Sequence, residues 1–305
     1  MCWLLSPLLA WNEGLRMTKI IDHLKIILEM IKFEHTIFAL PFALLAAFLA
    51  ARGWPPPLKL FWILVAMVGA RSAAMSFNRL ADASFDAQNP RTRGRAIPAG
   101  KIRRQEVLFF LLTSCGIFFY AAYRLNRLCW LLSPFIVAIL LLYSYTKRFT
   151  SLAHLVLGLC LGLSPLGGWI AITGRIDWLP VILGVGVLLW VGGFDVIYAC
   201  PDYDFDRRAN LYSIPRKFGI RGGLWISAFL HAGAAACFFL LWPLAGLGAV
   251  YMAGYVVTVF FLLYQHWIVR PDDLSRVNLS FFFSNGIISL VLCTAAIIDV
   301  LRMGR

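Results

Sequence analysis

The stretch Asn78-Arg79-Leu80-Ala81-Asp82-Ala83-Ser84-Phe85-Asp86 follows a long apolar run and opens into an arginine-rich loop. Asp82 and Asp86 lie four residues apart, and Asn78 precedes Asp82 by the same step. On a helix all three side chains share one face. A single acid at a helix end reads as an ordinary cap or a solvated group. Two stacked carboxylates at a membrane boundary read differently, because each is costly near lipid when unpaired. They call for cations, and Mg²⁺ takes oxygen ligands from one or two carboxylates plus substrate phosphates. Arg91, Arg93 and Arg95, just downstream, suit the phosphate side of such a site. A second cluster, Asp202-Tyr203-Asp204-Phe205-Asp206, repeats the four-residue spacing more than a hundred residues later.

Composition sets the setting. The 305 residues are 61% hydrophobic and 14% charged, with mean hydropathy +0.78. Soluble domains carry about 25% charged residues, so the chain reads as an all-α, polytopic membrane protein. Its net charge of +13 fits cationic loops facing an anionic lipid surface and does not call for a nucleic-acid partner. Seven cysteines are scattered, mostly inside apolar runs, without a CxxC pair. They read as small buried hydrophobes, with no disulfide framework or zinc site indicated.

Residues 1–34 read as an N-terminal extension and interfacial helix, and 35–305 as the transmembrane domain. The apolar stretch Cys2–Trp11 is too short to span and lacks a basic start and a cleavage site, so it is not read as a signal peptide; Met17 is an alternative start. Ile20, Ile21, Leu24, Ile27, Leu28 and Ile31 recur at helical spacing among lysines, as in a basic interfacial helix. Nine apolar runs of about spanning length follow, near 35–51, 58–77, 106–123, 128–145, 151–173, 178–200, 222–243, 246–267 and 281–301. Twenty of the 28 lysines and arginines fall on the N-terminal segment and the loops after the even-numbered runs; seven fall on the opposite face, and Arg71 lies inside the second run. That asymmetry places the N-terminus and both Asp clusters on the cytoplasmic side of a bacterial-type inner membrane. The recurrence of Asp spacing and basic loops indicates two distantly related halves.

Asp195 sits within the apolar run Trp190–Ala199, after Gly192 and Gly193. A carboxylate there must face a polar cavity. Steps of three and four lead on to Tyr198, Asp202 and Asp206, so all four can line one side, with Pro201 ending or kinking the helix. Arg207 and Arg208 offer these acids plain salt bridges as the competing reading. Among the loop cations Arg95 and Lys147, beside Tyr145, stand out as phosphate ligands. The five histidines show no metal-ligand spacing, and His35 alone sits where a pocket would open.

Together these residues resemble the UbiA superfamily of intramembrane prenyltransferases, in its 4-hydroxybenzoate polyprenyltransferase-like branch. Asn78-Arg79…Asp82…Asp86 is similar to the family's N-(D/R)-x-x-D-x-x-x-D motif, and Arg91–Gly100 to its T-x-x-R-P-L-P-S-G continuation. Asp195-Val196-Ile197-Tyr198-Ala199…Asp202…Asp204…Asp206 resembles the second motif, and Tyr143…Tyr145…Lys147-Arg148-Phe149-Thr150 the Y-P-x-x-K-R-(Y/F)-T segment. The resemblance covers about residues 30–220. It implies about nine transmembrane helices bundled around a central cavity with a cytoplasmic cap. It also implies Mg²⁺-dependent transfer of a polyprenyl chain from polyprenyl diphosphate to a small aromatic acid. Asp82, Asp86, Asp202 and Asp206 would hold the metal, and Asp82, Asp202 and Asp195 would carry catalysis. Asn78, Arg95, Lys147, Tyr145, Tyr198, Lys32 and His35 would bind substrates.

Where the branch usually begins R-L-D-K-P-I-G, this chain has Lys32-Phe33-Glu34-His35-Thr36-Ile37-Phe38. Lysine lacks arginine's bidentate fork, and such K-F-x-H-T-x-F-A-L-P starts look like a sub-branch acting on dihydroxynaphthoate. The branch resemblance makes 4-hydroxybenzoate, in ubiquinone biosynthesis, the expected acceptor, with a dihydroxynaphthoate-type acceptor of menaquinone biosynthesis as the alternative. A secondary transporter is the non-enzyme alternative, although it would want its acids near mid-bilayer. The Asp-Gly…Ala-Arg pattern of CDP-alcohol phosphotransferases is absent.

Overall fold

In lipid the backbone must satisfy its own hydrogen bonds, and a single apolar run can do so only as a helix. The computed structural model describes residues 25–32, 36 and 38–303, and its long elements are all helical. They are α1 (Leu40–Ala51), α2 (Pro57–Gln88), α3 (Arg104–Leu125), α4 (Arg127–Thr146), α5 (Ala153–Thr173), α6 (Trp178–Ala199), the short α7 (Tyr203–Arg208), α8 (Ile214–Ala245), α9 (Ala249–Ile268) and α10 (Asn285–Met303). Among the described residues, eight stretches are long and apolar enough to cross a membrane, and α1 is a shorter apolar helix. Nine apolar helices thus stand, among those residues, where nine runs were expected. The chain is an integral, multi-pass membrane protein.

The boundaries differ in instructive ways. The first run was expected over 35–51, yet α1 has 12 residues, with Pro41 in its first turn. Proline fits there because it has no N–H to lose. At about 1.5 Å per residue α1 falls well short of a bilayer, and seven of its side chains are buried. It is a core helix, packed between α5 and α10. The second run continues three turns past the expected residue 77, so Asn78, Asp82 and Asp86 ride on one unbroken α2. The seventh was expected from residue 222; α8 instead starts at Ile214 and breaks at Gly219, whose φ of 75° glycine alone adopts readily. The ninth is preceded by a π-helical turn, Ser280–Ser284.

Glycine sets the closest helix contacts. A Cβ on Gly158 of α5 would lie 2.2 Å from the Leu188 carbonyl oxygen of α6, and one on Gly168 would lie 2.1 Å from that of Ala43 in α1. Small residues let backbones approach where no hydrophobic force drives helices together in lipid. Phe42, Trp190, Phe194, Phe238 and Phe281 fill the centre, while Phe109, Phe135, Trp225 and Phe229 face outward, as a lipid-contacting surface requires.

At one end of the bundle, helix termini are capped by other helices. Lys59 Nζ donates to the carbonyls of Leu125 (2.7 Å) and Ala171 (2.8 Å), closing the last turns of α3 and α5. Asn126 Nδ2 donates to Ile170 O at 2.7 Å. Asp299 Oδ2 accepts from Gly248 N and Tyr251 N, each at 2.8 Å, at the start of α9. With these ends tied, α2, α4 and α6 present their C-termini together at the other end. A Gly168→Ala substitution must push α5 off α1 and should cost about 1–3 kcal/mol as overpacking. The expected readout is a lower Tm of the full chain in detergent, with an unchanged Tm counting against this contact.

Candidate active site

Three outgoing helices and one incoming helix converge on a polar cavity. The last turns of α2 supply Asn78, Asp82 and Asp86; the end of α4 supplies Tyr143 and Lys147; α6 supplies Asp195 and Tyr198. Beyond α6 the chain makes a 3₁₀ turn, Cys200–Asp202, before α7. Pro201 opens that turn, and the bend it imposes turns Asp202 and Asp206 back to the cavity that Asp195 and Tyr198 line. Loop residues Asn89, Arg91 and Arg95 and the Ser213 cap of α8 complete the wall.

The cavity acids are buried or half-buried, and Asp82, Asp86 and Asp202 each have a cationic partner. Asp82 Oδ2 accepts from Asn78 Nδ2 (3.0 Å) and pairs with Lys147 Nζ (3.0 Å), and Arg148 stands 3.8 Å from its Oδ1. Asp86 pairs with Arg95 Nη1 at 2.7 Å. Asp202 takes Asn89 Nδ2 at 3.3 Å and forms an ion pair with Arg91. Arg91 also lies over the Tyr198 ring, 4.8 Å from its centroid, so one guanidinium bridges the two halves of the site. Burial pushes the Asp206 carboxyl above the ordinary carboxylate range; the nearby Asp202 charge adds to this, and Ser213 and Lys147 partly offset it. Arg207 and Arg208 turn instead to the Tyr203 hydroxyl and the Asp204 carbonyl.

Asp82 Oδ1 and Asp86 Oδ2 are buried without a hydrogen bond. Unpaired carboxylate oxygens are expensive in such a place. Two of them on adjacent turns of α2, sharing a cavity with Asp202 and Asp206, suit a hard divalent cation. Among the described residues no three His, Cys, Asp or Glu side chains cluster tightly enough to hold an ion alone. The set is that of an ion completed by a ligand's own oxygens.

The structure sorts the residues expected from sequence. Asn78, Asp82, Asp86, Arg95, Lys147, Asp195, Tyr198, Asp202 and Asp206 share the cavity. Tyr145 does not line it: its ring packs on Phe77 and lies under Arg148. Tyr143, two residues earlier and so on the other side of α4, lines the cavity instead. Lys32 is exposed, has a φ of 51°, and its carbonyl accepts from Arg71 Nη2 at 2.9 Å; it is not among the residues lining the cavity. His35 lies outside the described residues. Asp204 is exposed. Sequence reasoning gave no site role to Asn89, His154 or Tyr143, which it quoted only as part of a motif, and it assigned Arg91 no individual role. His154, buried at the start of α5, holds Asp195 Oδ2 with Nδ1 at 2.7 Å.

The model of the UbiA prenyltransferase family matches residues 39–287. The 4-hydroxybenzoate octaprenyltransferase of Shewanella pealeana is 29% identical over 85% of this chain and 90% of its own length. The protoheme IX farnesyltransferase of Microcystis aeruginosa is 28% identical over 84% of this chain and 82% of its own. Among solved structures, a UbiA homologue from Aeropyrum pernix in its apo form is 35% identical and superposes with a TM-score of 0.79, covering 87% of this chain and 98% of its own. A homologue from Archaeoglobus fulgidus, solved with DMAPP and Mg²⁺, shares the fold at 17% identity and a TM-score of 0.72, over 90% of this chain and 99% of its own.

Arg91 and Asn89 hold the 200–208 segment to the loop after α2. A partly exposed pair of this kind contributes up to about 1 kcal/mol. Arg91→Ala should therefore speed amide exchange in residues 200–208 about fivefold. Unchanged exchange there would show that the bridge does not order that segment.

Proposed function

The chain belongs to the UbiA prenyltransferase family, and from that premise we propose that it transfers a polyprenyl chain from polyprenyl diphosphate to a small hydroxylated aromatic acid, with Mg²⁺ as cofactor. Family membership sets aside the transporter alternative. One observation carries the reading: two acid pairs share a single cavity, two of their oxygens are buried without a hydrogen bond, and lysine and arginine ring them.

Asp82, Asp86, Asp202 and Asp206 would hold the metal, which would supply positive charge to the departing diphosphate. Lys147, Arg95 and Arg91 exchange their carboxylate partners for diphosphate oxygens and stabilise the same developing charge. Asn78 steadies Asp82 through its amide. The allylic C–O bond breaks with its electron pair on the diphosphate, an aromatic carbon supplies the pair for the new C–C bond, and the ring proton leaves with the diphosphate. Asp195, which lines the same cavity from α6, orients the acceptor's hydroxyl and draws on its proton. Tyr198 and the Phe194 and Phe281 rings beside it keep water from the allylic cation. The asymmetry of basic residues supports a cytoplasmic location for this end of the bundle in a bacterial inner membrane.

The names of several relatives favour 4-hydroxybenzoate as acceptor. The Lys32–Pro41 start favours a dihydroxynaphthoate instead, so both belong in one experiment. Purified chain with Mg²⁺ and one polyprenyl diphosphate, offered each acid in parallel, should give a single prenylated product identified by mass. Diphosphate release with neither would overturn the proposal. Asp82→Asn, Asp86→Asn and Asp206→Asn should each lower turnover at least about 100-fold, whereas Asp204→Asn should remain near wild type. Mg²⁺ at a hundred times its Kd should stabilise the folded chain by about 2.7 kcal/mol, read as a rise in Tm that the Asp82→Asn/Asp206→Asn double variant loses.

A further inference from the structure

The geometry points to His154 as a positioning residue for the acceptor, one that fixes which oxygen of Asp195 meets the incoming hydroxyl. The inference rests on the prenyl-transfer reading above and extends it to a residue that lines the same cavity and is not among the proposed metal or diphosphate ligands.

His154 is held from both sides. Its Nε2 lies 3.3 Å from the backbone N of Ile214, and a backbone N–H only donates. Nε2 therefore carries a lone pair, and the ring proton sits on Nδ1. That proton points at Asp195 Oδ2, 2.7 Å away. The imidazole is thus fixed as an Nδ1–H donor by an N–H of the first turn of α8, which has no partner within its own helix. The contact needs α5 and α6 to lie close, and a Cβ on Gly192 would already stand 3.0 Å from Leu155 Cδ2.

Asp195 is left half-committed. Oδ2 is taken by His154, while the side chain retains 19% exposure and lines the cavity. Its remaining acceptor capacity faces the space where a phenolic hydroxyl would arrive. Without His154 the carboxylate is free to rotate, or to turn towards the cations of the diphosphate site. His154 also ties this acid to the chain just past the second metal cluster, since Ile214 follows the Ser213 cap that shares the cavity with Asp206. Its contribution falls on the acceptor half-reaction and not on donor binding.

The test compares His154→Leu with His154→Gln in the full chain in detergent, with Mg²⁺, geranyl diphosphate and whichever phenolic acid the wild type prenylates. A glutamine amide offers both an N–H for Asp195 and a carbonyl for Ile214 N–H. His154→Leu is expected to lower kcat/KM for the acceptor at least 30-fold while KM for the donor stays within twofold. His154→Gln should recover to within about fivefold of wild type. Wild-type acceptor kinetics in His154→Leu would overturn the inference. Equal losses in both variants with donor KM raised as well would also overturn it, as the mark of a merely structural contact. A wild-type chain inert towards every phenolic acid would remove the parent reading, and this one with it.

Discussion

Buried carboxylates at the edge of a bilayer must be matched by positive charge, and this structure is arranged around that requirement. Asp82 and Asp86 lie on a helix that crosses the apolar interior, and both are almost wholly removed from solvent. Lys147 and Arg148 at the end of α4 and Arg95 in the loop after α2 answer them, and Arg91 answers Asp202 across 111 residues of sequence. Such pairs break roughly even as a source of stability, because desolvation offsets the Coulombic gain. Their value lies in holding acids and cations at one place, where, under the proposed function, a metal and a diphosphate would re-partner them.

Placing those charges demands precision from the rest of the bundle. The helix ends remote from the site are tied by Lys59, Asn126 and Asp299, each bonding backbone groups of another element. Glycines at 158 and 168 let α5 lie against α6 and α1 at backbone contact. The start of α5 carries His154, so close helix packing and chemistry meet in one element. Arg79, inside the first motif, donates from Nε to the Met30 carbonyl at 3.0 Å and anchors the entry segment to α2.

Much of this was legible in the chain because it is local. The apolar runs gave nine helices, and four-residue spacing put Asn78, Asp82 and Asp86 on one face. Pro201 announced the bend that returns Asp202 and Asp206 to the cavity. What escaped depends on distance or on fine rotation. Tyr145 was favoured over Tyr143, yet residues two apart on a helix point to nearly opposite sides, and only the tilt of α4 decides which faces in. His154 showed no motif spacing, since its partner lies 41 residues away on the neighbouring helix. Arg91 looked like one of several topology-setting cations until the second half of the chain was folded against it. The length of α1 was overestimated because hydropathy cannot tell a buried core helix from a lipid-facing span.

The central claim is that Asp82 and Asp86 grip the same diphosphate as Asp202 and Asp206. A cryo-electron microscopy structure of the chain with Mg²⁺ and an unreactive prenyl thiodiphosphate tests it most directly. The account predicts diphosphate density between the two acid pairs, with Lys147, Arg95 and Arg91 moved from carboxylate to phosphate oxygens. Diphosphate bound at only one pair, or these cations still on Asp82, Asp86 and Asp202, would contradict it.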